Sequence, residues 1–264
     1  IFFRAMARIV QVLAFLCFVL LAGTARGADL VRHDNCSNGL QEILRNATWN
    51  RPLPPALQHL LRGLDKAVRK KAHLGNAGQL VIEPRVYLAI ASMGPDCVRT
   101  ICEIGFNAGH SAAMWLFAAP TAHVYMFDLW YRPQANEAGQ RYIETAMPGA
   151  RERLHILKGN SKYSVMDFHS ANPLVKCDII SVDGGHDYED AYVDLQNMWF
   201  LANPEFHVLF LDDTNCEGSW CDGVMKALRA HEAQRRVRVL EGWSERWGRE
   251  KGAYRGLTVL QYIK

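Results

Sequence analysis

The sequence predicts an α/β fold, a Rossmann-like, doubly wound and mostly parallel sheet that ends in a C-terminal antiparallel strand pair. The first observation is an alternation from residue 98 onward, in which five short apolar runs are each followed by a helix-like pattern. Such alternation is typical of a parallel sheet with right-handed crossovers. The second observation is that the alternation stops near residue 236, where two strand-like segments follow each other with no convincing helix between them.

These patterns place each element along the chain. The predicted strands cover 99–106, 124–129, 154–157, 177–182 and 208–211, and the terminal pair covers 236–240 and 256–263. The predicted helices between the strands cover 111–118, 135–146, 163–169, 188–201 and 223–233. A chain of 264 residues with 49% hydrophobic content is large enough for one domain with a real core. We therefore expect residues 76–264 to form that domain.

The first 27 residues have the pattern of a secretory signal peptide or an uncleaved signal anchor. Arg4 and Arg8 precede an apolar run at 9–21, and the small residues Ala25 and Gly27 suit a cleavage site. The run is short for a membrane span. We expect the protein in the ER or Golgi lumen or outside the cell, with membrane attachment only if this segment is not cleaved.

Residues 28–75 are predicted to form an N-terminal extension that precedes the core domain. Prolines at 52, 54 and 55 interrupt any long helix there. Two glycosylation sequons begin at Asn35 and Asn46, just behind the leader, where a glycan would meet no folded core. Both sequons agree with a secreted glycoprotein.

The cysteines also agree with an oxidising compartment. Six of the seven lie beyond the leader, an even number that permits disulfides. Cys216 and Cys221 bracket a short loop and are the first expected pair. Cys102 and Cys177 lie in apolar strands and are expected to be buried thiols.

The charge balance argues against a nucleic-acid partner. The leader holds three of the 30 basic residues and none of the 27 acidic ones, so the remaining chain is balanced at 27 of each sign. An electrostatic nucleic-acid binder would carry a basic excess. We expect a small-molecule or glycan partner instead; the sequence does not indicate an oligomeric state.

A glycine turn follows the first predicted strand, at residues 101–111. Gly105 and Gly109 allow a tight turn and a close backbone approach to a ligand, and the helix start beyond them offers free N–H groups. Asp128 ends the next strand, where an acid can accept ribose hydroxyls. A plain strand-to-helix turn and a solvated acid are the alternative interpretations. Asn107 stands where a dinucleotide fingerprint would have its middle glycine.

Acidic residues and a histidine follow the fourth and fifth predicted strands. Asp183 and His186 come after the fourth strand, and Asp212 and Asp213 end the fifth. Open sheets bind ligands at this edge, so three carboxylates would meet at one mouth. They repel one another unless a cation lies among them, and Mg²⁺ or a similar divalent ion suits oxygen ligands better than zinc does. The alternative is that the two adjacent acids only cap a loop.

The glycine turn resembles the first motif of class I methyltransferases that use S-adenosylmethionine (SAM). The resemblance implies that Glu103 holds the methionine amino group and that Gly159-Asn160-Ser161 takes the place of a Gly-Asp-Ser turn near the adenine, with Asn replacing the acid. The residues that it implies for cofactor binding are Glu103, Gly105, Asn107, Gly109, His110, Ser111, Asp128, Asn160, Ser161 and Asp183.

Residues 76–264 as a whole resemble the Methyltransferase 24 type family, which includes metal-dependent sugar O-methyltransferases and cephalosporin-hydroxylase-like proteins. The resemblance places Asp183, Asp212 and Asp213 on the metal positions and His186 on the position of the general base. It implies methylation of a hydroxyl of a small molecule or sugar. A hydroxylase-like enzyme and a catalytically degenerate binding or scaffold protein of the secretory pathway are the alternatives.

Two residues keep a second interpretation. His186 could also be a helix N-terminal histidine that is hydrogen-bonded to a loop. Trp220 follows the acidic pair and is expected either to wall a substrate pocket or to pack against the protein.

Overall fold

The computed structural model describes residues 34–46, 49, 51–69, 80–216, 219–246 and 254–264. The predicted leader lies outside this part of the chain. None of the helices in the described ranges is long and apolar enough to cross a membrane.

In the described ranges one sheet of seven strands runs in the order β3-β2-β1-β4-β5-β7-β6. The strands are β1 Thr100–Ile104, β2 His123–Asp128, β3 Leu154–Lys158, β4 Ile179–Val182, β5 Val208–Leu211, β6 Val237–Arg246 and β7 Tyr254–Tyr262. β1 to β5 are parallel, whereas β7 is antiparallel to both β5 and β6. The predicted fold class is confirmed, and β7 rather than β6 lies beside β5.

Helices cover both faces of this sheet. α1 covers 34–46, and the others are α2 Pro55–Val68, α3 Glu83–Ala91, α4 His110–Ala118, α5 Pro133–Ala146, α6 Ala150–Arg153, α7 Ser161–Ala171, α8 Tyr188–Leu201 and α9 Asp222–Ala233. The five predicted helices agree with α4, α5, α7, α8 and α9 to within two residues. The short α6 was not predicted, because four residues carry no periodic signal.

Alternation along β1 divides the core into two clusters. Ile101 packs with the helices α1 to α5, whereas Cys102 and Ile104 pack with α7, α8 and α9. β1 also pairs with β2 on one side and β4 on the other, so the strand order reverses there. A crevice at such a switch point is the usual place for a ligand.

The described part of the predicted extension packs into the domain core. Cys36 and Leu40 of α1 and Leu57 and Leu64 of α2 are buried in the same cluster as Ile101. The sequon residues Asn35 and Asn46 lie on this packed helix with exposed side chains. Their glycosylation stays a prediction. The boundary at residue 75 stays a prediction.

Three disulfides link the described cysteines: Cys36–Cys97, Cys102–Cys177 and Cys216–Cys221. The expected pair at 216 and 221 is confirmed. The expectation of free thiols at Cys102 and Cys177 is wrong, although both side chains are buried. β1 and β4 are neighbours, which brings the two Cα atoms to 5.8 Å, within the range of a disulfide.

Candidate active site

A cavity of about 710 Å³ opens at the carboxyl ends of β1, β2, β4 and β5. Its lining includes most of the predicted site residues: Gly105, Asn107, Asp128, Asn160, Ser161, Asp183, His186 and Asp212. The glycine turn and two of the three predicted metal ligands, Asp183 and Asp212, therefore face one space, whereas Asp213 is outside its lining.

The glycine turn is shaped by contact between β1 and β4. Gly105 has φ +105°, and a Cβ there would lie 2.1 Å from the backbone oxygen of Asp183. Asn107 also has a positive φ, 48°. Only glycine lets the two strands approach this closely, and the loop can thus present backbone groups to the cavity.

Asp128 holds this loop in place. Its Oδ2 accepts the backbone N–H groups of Phe106 and Asn107 at 2.8 and 2.9 Å. Its Oδ1 accepts the backbone N–H of Trp130 at 2.6 Å, with the Asn136 amide at 3.4 Å. The acid that was predicted to bind ribose therefore has a structural role in the loop. The ribose contact stays a prediction.

Four of the predicted cofactor residues do not line the cavity: Glu103, Gly109, His110 and Ser111. For Glu103, the cause is the alternation of side chains along β1, which turns this residue toward α4 instead of the mouth of the cavity. Its carboxylate is fully buried and accepts the indole N–H of Trp115 at 2.9 Å and the hydroxyl of Ser181 at 3.1 Å. His110 is likewise buried, with Nε2 3.1 Å from Asp65.

Burial makes Glu103 a weak acid. Desolvation raises the pKa of its carboxyl to about 8, although hydrogen bonds from Trp115, Ser111 and Ser181 act in the opposite direction. The carboxyl therefore keeps its proton over much of the neutral range.

Asn160 has a further role in local structure. It is the N-cap residue of α7, where its side-chain oxygen accepts the backbone N–H of Lys162 at 2.9 Å. An aspartate would cap the helix in the same way, so the replacement of acid by amide preserves the turn. Ser161 follows in the cavity lining and is hydrogen-bonded to Asp194 of α8.

The acidic cluster consists of Asp183, Asp212 and Asp213, the predicted metal ligands at the ends of β4 and β5. In the described ranges the group whose ligand atoms could hold a metal contains two of them, Asp183 and Asp213, with His186 as its third member in place of Asp212. Ligand atoms of Asp183, His186 and Asp213 all lie within 4.8 Å of one another. Nε2 of His186 is 2.7 Å from Oδ2 of Asp213, and this hydrogen bond raises the pKa of the imidazole. The half-exposed ring of His186 thus meets a buried carboxylate.

The electrostatic state differs among the three carboxylates. Burial and the neighbouring Asp213 raise the pKa of Asp212 to about 7, and desolvation together with Asp212 raises that of Asp183. Burial also acts to raise the pKa of Asp213, but His186 and Arg255 outweigh it and lower that pKa. Oδ1 of Asp212 is buried without a hydrogen-bond partner in the described protein. A buried carboxylate oxygen of this kind fits a divalent cation.

Arg255 was not predicted. It stands at the start of β7, and its Nε and Nη2 donate to Oδ1 of Asp213 at 2.8 and 2.7 Å. Nη2 also lies 3.4 Å from Oδ2 of Asp212. A strand at 256–263 was expected, but its pairing with β5 depends on the tertiary structure, so no local pattern brings Arg255 to the acids.

Two other residues of the site were missed. Glu83 of α3 is buried, and its pKa is raised by burial and by the Asp212 carboxylate. Asn136 of α5 is 1% exposed and lines the cavity; its amide donates to the backbone oxygen of Asn107, while its Oδ1 lacks a partner in the described ranges. Asn136 lies in a helix that was predicted from its apolar pattern alone, which carries no information about ligands, and no element was predicted at Glu83.

Trp220 forms part of the cavity wall, as one of its two interpretations predicted. Its ring lies 5.7 Å from that of His186, and the Arg255 guanidinium is 5.6 Å from its centroid. The Cys216–Cys221 disulfide closes the short segment that carries it. An apolar surface therefore stands beside the histidine and the acids.

The chain is similar to known methyltransferases in a matched family model and in fold. Residues 102–214 match the family model described as a methyltransferase domain. A methyltransferase from Podospora anserina, PaMTH1, bound to SAH, has a TM-score of 0.57 and 15% identity, covering 85% of this chain and 92% of that chain. CalS11, a TDP-rhamnose 3'-O-methyltransferase of calicheamicin biosynthesis, has a TM-score of 0.49 and 16% identity, covering 84% and 92%. No curated protein sequence matches the chain.

Proposed function

We propose that this chain is a SAM-dependent methyltransferase that methylates a hydroxyl oxygen of a small molecule or sugar with the help of a divalent cation. The matched methyltransferase domain at residues 102–214 and the class I fold support the methyltransferase activity. The observation that carries the proposal is that His186, which contacts Asp213, lines the same cavity as Gly105 and Asn107 of the glycine loop. A base and an acidic cluster thus lie where a methyl acceptor would reach the cofactor.

SAM, when bound, supplies an electrophilic methyl group, and the acceptor oxygen forms a bond to that carbon while the bond between carbon and sulfur breaks. Residues of the chain have to hold both reactants. Gly105, Asn107 and Asn136 line the side assigned to the cofactor, where Oδ1 of Asn136 has no hydrogen-bond partner in the described ranges. Asn160 and Ser161 line the side assigned to the adenine.

His186 is suited to take the proton of the acceptor hydroxyl. Its Nε2 is held by Asp213 at 2.7 Å, which favours a proton on that nitrogen and leaves Nδ1 as the basic one. A carboxylate that orients a histidine in this way also stabilises the imidazolium formed after transfer. General bases of this type contribute about 10²- to 10⁴-fold to a rate.

Asp183, Asp212 and Asp213 would hold the cation. They supply hard oxygen ligands, and Oδ1 of Asp212 has no competing partner in the described protein. A bound divalent ion lowers the pKa of a coordinated hydroxyl and orients it. Because a free hydroxyl is a poor nucleophile at neutral pH, the cation and the histidine would act on the same oxygen.

We also place this activity in the secretory pathway. The leader pattern at 1–27 and the two sequons support this location. Three disulfides in the described ranges agree with an oxidising compartment.

The test is methyl transfer by the full chain with tritiated SAM and a panel of sugars, nucleotide sugars and phenols. We expect a labelled ether product that is lost with EDTA and restored by Mg²⁺. Calorimetric titration with SAM runs in parallel on the parent and on an Asp212→Ala, Asp213→Ala variant, and both should bind SAM. A folded parent that binds no SAM would overturn the proposal and leave the scaffold interpretation. Product formation that is insensitive to EDTA would remove the cation from the mechanism.

A further inference from the structure

We propose that Arg255 is a built-in counter-ion of the acidic cluster, which keeps the cluster stable without a metal and makes its affinity for a divalent cation weak and exchangeable. The inference rests on the cation of the proposed function but concerns a residue that no motif assigns. It makes a prediction about cation affinity that is separate from catalysis.

The guanidinium of Arg255 bridges Asp212 and Asp213, the two acids that follow β5. Its Nε and Nη2 share Oδ1 of Asp213, and Nη2 also reaches Oδ2 of Asp212. The side chain of Arg255 is 16% exposed, so these contacts form largely away from water. Charged hydrogen bonds of this kind are stronger than neutral ones.

Arg255 leaves part of the cluster available. It takes one oxygen of Asp212, while Oδ1 of the same carboxylate stays buried and without a partner in the described ranges. Oδ2 of Asp213 instead faces His186. A cation could thus bind at Oδ1 of Asp212, or share Oδ2 of Asp213 with His186, while the arginine holds the other oxygen of each carboxylate.

The guanidinium of Arg255 and a bound divalent ion would affect each other through their charges. Glu83, Asp183, Asp212 and Asp213 act electrostatically on Arg255, which brings one positive charge to four acidic groups. One charge reduces their mutual repulsion but does not cancel it, so a divalent ion is still attracted. A divalent ion at the same carboxylates would repel the guanidinium, because like charges a few ångströms apart interact strongly where water is largely excluded. Arg255 therefore stabilises the metal-free site and weakens metal binding.

The experiment titrates Mn²⁺ alone into the full chain and follows free Mn²⁺ by electron paramagnetic resonance. Arg255→Gln removes the charge but keeps an amide donor, and we expect Mn²⁺ to bind about tenfold tighter. Arg255→Lys keeps the charge, and its affinity should stay within about threefold of the parent. Arg238→Gln is the matched control, because Arg238 pairs with Gln261 near the opposite end of β7.

Thermal unfolding gives the second measurement. Without metal, Arg255→Gln should melt at a lower temperature than the parent, and saturating Mn²⁺ should remove most of that difference. If Arg255→Gln binds Mn²⁺ no more tightly than the parent, or if neither protein binds Mn²⁺, the inference is wrong. SAM titration of the same samples separates the two proposals. If the proteins bind SAM but Arg255→Gln does not bind Mn²⁺ more tightly, the counter-ion role of Arg255 is wrong and the methyltransferase proposal stands.

Discussion

The indole N–H of Trp115 donates to a carboxylate oxygen of Glu103 across 2.9 Å, inside the core and away from the cavity. This contact does not offset the cost of burying a charge, and the pKa of Glu103 is raised to about 8. The folded protein therefore holds a proton between pH 4.5 and 8 that the unfolded chain has released. Stability linked to Glu103 is fully present below its unfolded pKa and is lost as the pH rises through 8.

Glu103→Gln should remove this pH dependence. At about 1.4 kcal/mol per pKa unit, the parent should lose on the order of 5 kcal/mol more than the variant between pH 4.5 and 8.5. Urea unfolding at several pH values measures the difference. Glu137→Gln, on the exposed face of α5, is the control. Parallel pH profiles for the parent and Glu103→Gln would contradict the prediction.

His186→Gln should reduce methyl transfer by about 10²- to 10⁴-fold, because it removes the proposed base. The affinity for SAM, measured by calorimetry, should stay within about threefold, since the imidazole contacts Asp213 rather than the glycine loop. His123→Gln at the exposed first residue of β2 should leave both quantities unchanged. A large loss of SAM affinity in His186→Gln would assign the histidine to cofactor binding instead.

Trp220→Ala should raise the KM for the acceptor while the affinity for SAM stays the same, because the ring lines the cavity beside His186. Trp199→Ala is the matched control, since the side chain of Trp199 is 37% exposed and that of Trp220 is 36% exposed. Steady-state kinetics should show an effect for Trp220 alone. Equal effects of the two substitutions would indicate a general loss of packing.

Gly105→Ala should unfold the site. The added methyl would meet the backbone oxygen of Asp183 at 2.1 Å, and backbone cannot move aside as a flexible side chain can. Gly94→Ala separates this contact from backbone strain, because Gly94 has a similar φ of +93° but open space around its Cβ position. We expect about 1 kcal/mol of destabilisation for Gly94→Ala and a larger loss, with no SAM binding, for Gly105→Ala. Equal costs in denaturant unfolding would show that strain alone matters.

The Cys36–Cys97 disulfide should contribute about 4 kcal/mol to the free energy of unfolding, because it closes a loop of 61 residues. Loss of the Cys216–Cys221 disulfide, with a separation of 5, should cost about half as much by the same argument. Urea unfolding of the two double Cys→Ala variants measures both. A larger cost for the shorter loop would contradict the entropic explanation.

Much of the fold could be predicted from local patterns. Apolar periodicity marks each strand of the parallel region and every helix there except the short α6. Because the carboxyl ends of parallel strands share an edge, the sequence could also place Asp183, His186 and Asp212 at one edge of the sheet. The inward direction of Glu103 also follows from alternation, since it shares a face of β1 with Ile101. The motif resemblance instead implied a contact between Glu103 and the cofactor.

The remaining features depend on tertiary structure. Arg255 reaches Asp212 and Asp213 because β7 pairs with β5. Local periodicity does not indicate the order of strands in a sheet, so this contact could not be predicted. Glu83 lies on a helix that precedes the first strand, and only packing brings it near Asp212. The Cys102–Cys177 disulfide likewise requires the pairing of β1 with β4.

Insertion of β7 beside β5 sets an order of events during synthesis. Asp213 precedes Arg255 by 42 residues, so a ribosome that adds about 5 to 20 residues per second makes the acid about 2 to 8 seconds before its arginine. In that interval Asp212 and Asp213 lack the guanidinium that they contact in the folded protein. The arginine arrives with the strand that closes the sheet, and maturation of the site is tied to that closure.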